Sequence, residues 1–201
     1  MKTLLFTILL FTGLITKAQD TLLLLNGKRF SGIAVDTSGF KIQFKTFRSG
    51  RKSKIKSFYR DDVFSINGDD GNEHIFYFPD MFTVNDYTVE NMRFEVYGNM
   101  DARNKFRTKW VYPVGIASGF LAGFFLEGSV FSVFIVPIYL GVVQIPIVKI
   151  QPKTISKPVF FGNDFYKTGY NRSARMKRTK HAIISSFIGL IAGIGIYEIT
   201  K

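Results

Sequence analysis

The chain has 201 residues, 46% hydrophobic and 21% charged, and 27 Lys and Arg against 15 Asp and Glu leave a formal charge of +12. A mean hydropathy of +0.11 excludes a disordered chain and is high for one that lives in water. With no Cys and two His, disulfides, thiol catalysis, cysteine-ligated zinc, thioether lipid anchors and a histidine-rich metal site are excluded.

The N-terminus has the layout of an export signal. Met1 and Lys2 precede thirteen uncharged, mostly apolar residues at 3–15, and Thr16 and Ala18 set small side chains before a cut after Ala18. At ~1.5 Å per residue the run reaches ~20 Å, short of the ~30 Å hydrocarbon core. Residues 1–18 are therefore expected to be a signal peptide. The absence of Cys after it excludes a lipoprotein.

Residues 19–82 read as a small β-barrel domain of SH3-like or Sm-like size. A strand at 21–25 is followed by Asn26-Gly27, a strong hairpin signal because both residues tolerate positive φ. A second strand, 30–35, ends at Ser38-Gly39. Phe40, Ile42, Phe44 and Thr46 then alternate with Lys41, Gln43 and Lys45, a period of two. Strands at 55–59, 63–66 and 74–78 complete the set, and so many short strands in so small a segment are expected to close on themselves. The first strand is apolar throughout, which calls for cover on both faces. Arg48, Arg51, Lys52, Lys54 and Lys56 crowd one hairpin, as a solvated charge run or as an anionic-surface binder. Asp69-Asp70-Gly71-Asn72-Glu73 lacks EF-hand spacing and reads as a turn, and His74 has no ligand partners at suitable spacing.

Residues 83–109 read as a helical connector. Val89, Met92 and Val96 lie at helical spacing, Asp86 or Thr88 is a candidate N-cap, and Gly98 is expected to divide the segment into two short helices. Residues 110–148 read as an apolar hairpin of two membrane helices: 110–126 and 128–148 carry no charge, and only Glu127 lies between them. Pro137 and Pro146 are expected to kink or end the second. Residues 149–181 form a basic linker, with nine Lys or Arg against Asp164 alone, and 182–201 hold a third membrane helix. Within the linker, Arg172, Arg175, Lys177, Arg178 and Lys180 directly precede the last apolar run, where anionic headgroups would attract them.

Gly115, Gly119 and Gly123 recur every four residues, as do Ser185, Gly189 and Gly193. That spacing lines small residues along one helix face and lets another backbone approach, so these six are candidate helix-packing positions. Glu127 and Gln144 are candidate intramembrane polar groups; a turn position makes the Glu127 charge cheap, and Gln144 can hydrogen-bond between helices.

Orientation brings two signals into conflict. A cleaved signal puts the barrel and the basic linker outside the cytoplasm, against the positive-inside rule. The N-terminal pattern is the more specific, so a periplasmic barrel is the expectation. A hairpin that is re-entrant or buried by a partner is the alternative.

The order of motifs resembles a layout of uncharacterised bacterial envelope proteins. Asp20-Thr21-Leu22, Asn26-Gly27 and Gly32-Ile33-Ala34-Val35 resemble their first strands. The stretch from Gly98 through Asp101-Ala102 resembles their Gly-x-x-Asp-Ala element, and Tyr166-Lys167-Thr168-Gly169-Tyr170, with Ala174, Lys177 and Gly189, their closing segment. The resemblance implies an α+β, membrane-associated protein and carries no catalytic residue. No catalytic residue, cofactor site or metal site is expected, since the chain shows no nucleophile–His–acid set, phosphate loop or ligand cluster. The expected function is a non-enzymatic envelope protein with the barrel as a binding or scaffolding module. Its expected partners are membrane lipids, anionic headgroups and a second copy or another envelope protein. A small channel or transport accessory protein and a membrane-tethered nucleic-acid binder acting through hairpin 48–56 are the alternatives; for nucleic acid, no recognised motif is present.

Overall fold

The computed structural model describes residues 19–48, 51–79 and 88–201; the expected signal peptide and the candidate cap Asp86 lie outside the described residues. The fold is α+β, in two compact units that divide between Asp80 and Met81.

The first unit is a six-stranded antiparallel sheet in the order β4-β3-β2-β1-β5-β6. Its strands are β1 (Asp20–Leu24), β2 (Arg29–Asp36), β3 (Lys41–Arg48), β4 (Arg51–Tyr59), β5 (Val63–Asn67) and β6 (Glu73–Ile75). Gly27 takes φ 76° in the β1–β2 turn, the conformation that the Asn-Gly pair makes accessible. Leu22, Leu24, Ile42, Phe44, Val63 and Ile66 form the core. Strand β1 is central, and Leu22, Leu23 and Leu24 are all buried, which explains a strand without polar alternation.

The expected barrel closure is absent: the sheet is open, with β4 and β6 as its two edges. Strand β6 supplies only three residues, and Pro79, four residues after it, lacks a ladder donor. The sheet nevertheless bends strongly. Register shifts interrupt the pairing of β1 with β5, β2 with β3, and β3 with β4, and such irregularities bend strands. Phe30 on β2 meets Phe58 on β4, two strands away, at 4.9 Å between ring centroids.

The second unit is helical. Helix α1 (Val89–Lys105) starts at Thr88, whose hydroxyl accepts the Asn91 N–H at 3.2 Å. It runs unbroken through Gly98, contrary to the expected division. Glycine is there for close approach: a Cβ on Gly98 would lie 2.1 Å from the Tyr166 carbonyl oxygen. Helix α2 (Val111–Phe125) leads to an apex where Glu127 and Gly128 both take positive φ. A 3-10 turn (Val130–Phe134) and helix α3 (Ile135–Gln144) return the chain. Helix α4 (Asp164–Thr200) then runs for 37 residues.

Two expectations are corrected here. The basic linker expected at 149–181 ends at Asn163, which caps α4 by accepting the Tyr166 N–H at 3.0 Å; the remaining residues join the last apolar run in one helix. Two to three membrane helices were expected, but α4 is the one described helix long and apolar enough to cross a bilayer. Helix α2, with 15 residues, reaches ~22 Å. Helix α3 has 10 residues, because the positive-φ apex consumes the start of the apolar run and Pro146 closes its end.

The helices pack around α4. Glu95, Asn99 and Arg103 on α1 lie level with Gly169, Ser173 and Lys177 on α4, so the two run parallel. Gly115, Gly119 and Gly123 on α2 continue that sense against Ser185, Ser186 and Leu190. Helix α3 runs antiparallel: Tyr139 reaches the Val111 carbonyl, and Gln144 reaches Thr179.

Candidate functional site

Two buried acids hold the polar half of α4 to α1. Asp101 accepts the Ser156 N–H at 2.7 Å, the Tyr166 hydroxyl at 2.8 Å and the Ser156 hydroxyl, and Lys105 lies 3.3 Å away. Burial, the hydrogen bond to Asp101 and that negative charge all push the Tyr166 hydroxyl pKa up. Glu95 is 1% exposed and pairs with Arg172. Burial raises its pKa and Arg172 partly offsets this.

These contacts reassign much of the basic set expected to face anionic headgroups. Arg172 is bound to Glu95. Lys177 donates to the carbonyls of Arg103 and Phe106, both at 2.8 Å, at the C-terminal end of α1. Arg178 is buried, donates to the Pro146 carbonyl and lies over the Phe106 ring. Arg175 and Lys180 are exposed. Of the five, only Arg178 lies in the buried stripe of α4, with Ala174, Ala182 and Ser185 at three- or four-residue spacing; Arg172 reaches Glu95 from an exposed position.

The small-residue positions meet one another. A Cβ on Gly119 would lie 2.1 Å from the Ser186 carbonyl oxygen, and one on Gly189 equally close to that of Ile116. Gly115 abuts Ser185, and Gly123 faces Leu190 and Gly193. These positions bring α2 and α4 of one chain into backbone contact. Glu127 sits exposed at the hairpin apex, and Gln144 binds Thr179 at the opposite end of the hairpin.

The outward face of the hairpin and of the second half of α4 is apolar. Phe125 is 70% exposed, Phe131 72%, Ile147 80% and Ile191 69%. At the end of the hairpin opposite its apex, the chain forms a cavity of about 640 Å³. Lys105, Arg107 and Lys109 enter it from before α2, and Lys149 and Lys153 from after α3. Its polar floor is held by the Tyr170 hydroxyl, which donates to Thr154 Oγ1 at 2.9 Å, and by Thr154, which donates to the Gln151 carbonyl. Chain order alone does not reveal this group, because the two basic segments lie some forty residues apart. The signal that reveals it is the hairpin itself, whose two flanks must meet.

In the sheet, Lys52, Lys54 and Lys56 share one face of the β4 edge, and Lys56 lies over the Phe30 ring at 4.7 Å. Arg48 and Arg51 are register partners of β3 and β4. A cavity of about 460 Å³ is lined by Asp20, Arg60, His74 and Phe76 among others. Asp20 accepts the Ala34 N–H at 2.7 Å and the Asp69 N–H at 3.2 Å, joining β2 to the β5–β6 turn. In that turn, the Asn72 backbone and side-chain N–H groups bind Asp70 and lower its pKa. Among the described residues no group of three His, Cys, Asp or Glu is placed to hold a metal.

Comparison with family models, with curated proteins and with solved structures returns no match.

Proposed function

We propose that the chain is a non-enzymatic, membrane-anchored protein of the bacterial cell envelope. Helix α4 crosses the bilayer, the α2–α3 hairpin lies beside it in lipid without spanning, and the sheet is an exported binding or scaffolding module. The observation that carries this reading is the continuous apolar outward surface of α2, α3 and the second half of α4. So large an exposed apolar area is not sustained in water. The basic cavity at one end of that surface, beside Trp110, supports an interface at that level.

The bent sheet, with its Phe30–Phe58 contact, supports a barrel-like module that a partner strand along the β6 edge would complete. Glu127 and Gln144 lie at the two ends of the hairpin and not midway along it, which supports an anchor over a channel.

Extraction tests the reading. The full chain should stay in the membrane fraction through high salt and leave it only with detergent. A protein released by salt alone would not be embedded.

A further inference from the structure

We propose that the cavity at the base of the α2–α3 hairpin is a binding site for a phosphate group. Five cationic side chains, Lys105, Arg107, Lys109, Lys149 and Lys153, line one concavity of about 640 Å³, and no carboxylate lines it. Asp101, the nearest acid in sequence, is occupied by Ser156, Tyr166 and Lys105. The other four cations are exposed at the rim. Their like charges repel unless an anion sits among them, and a phosphate offers several acceptor oxygens to compact ammonium donors.

The floor is preorganised. Tyr170 is fully buried, bonds Thr154 and packs edge-on against Phe106 at 6.2 Å. The cavity has the size of a small-molecule site. A phosphate of a lipid headgroup and a soluble phosphate share this chemistry. The choice of lipid rests on the membrane reading above, because Lys109 and Lys149 of the cavity lie close along the chain to the exposed Trp110 and Ile147 ends of the apolar surface; the phosphate site itself does not.

The test uses the full chain in an uncharged detergent, titrated with a fluorescent phosphatidylglycerol. The double variant Lys109→Gln/Lys149→Gln should weaken binding roughly 10- to 30-fold, from about 1 kcal/mol per basic residue near an anionic surface. Lys28→Gln/Lys45→Gln removes the same charge from exposed positions of the sheet, outside the cavity, and should change binding by less than about threefold on the same scale. Equal losses in the two pairs, or none in either, would overturn the site. Competition by inorganic phosphate that is lost in the cavity variant alone identifies a soluble phosphate as the ligand. Retention of the lipid against phosphate identifies the headgroup. If the chain proves soluble without detergent, the membrane reading fails, and the phosphate titration still decides the site.

Discussion

The Tyr166 hydroxyl donates a 2.8 Å hydrogen bond to Asp101 between two side chains that are both essentially fully buried. Asp101 accepts two further bonds from Ser156, so one carboxylate ties α1, the segment between α3 and α4, and α4 together. Tyr166→Phe keeps the ring packing and removes one charge-assisted bond. It should destabilise the helical unit by about 1.5–3 kcal/mol, read from denaturant titration in detergent. A variant as stable as the parent would show that the bond contributes nothing.

Close approach makes a sharper contrast. Gly119→Ala places a methyl against the Ser186 carbonyl and should cost about 1–3 kcal/mol by forcing the helices apart. Gly141→Ala on α3 meets nothing within 4 Å and should stabilise by roughly 0.5–1 kcal/mol through helix propensity. Thermal unfolding of the two variants should therefore shift in opposite directions.

Glu95 predicts a pH dependence. Burial raises its folded-state pKa above the ordinary 4.5. The folded state then holds the proton in a range where the unfolded state has released it. Stability from this group is full below 4.5 and falls as pH rises through the raised value. Glu95→Gln should flatten that part of the stability profile, measured as the denaturant midpoint across acid to neutral pH. An unchanged slope would assign the dependence elsewhere.

The lysines of β4 have a physical task that needs no ligand. An open edge strand invites pairing with another chain, and charges along it oppose that. Lys52→Val/Lys54→Val should convert the protein to larger assemblies by size-exclusion chromatography, with the sheet otherwise retained by circular dichroism.

Much of the architecture was legible in local pattern. Strand alternation at 40–46, the Asn26-Gly27 turn and the four-residue spacing of small residues report geometry set by neighbours in sequence. Barrel closure was not legible, because it depends on whether β4 and β6 are long enough and curved enough to meet. Gly98 was misread as a break because propensity counts the entropy of glycine and is blind to the Tyr166 backbone lying against it.

The same division separates the charges. Composition alone determined that the chain is basic, apolar and without cysteine chemistry, and residue order determined where the apolar runs begin and end. Only the tertiary structure decided which cations remain available. The turn of α4 points Arg172, Lys177 and Arg178 at α1 or the end of the hairpin, and the hairpin brings Lys109 and Lys149 to one cavity. Charge is a property of a residue, but its partner is set by distances between segments that lie far apart along the chain.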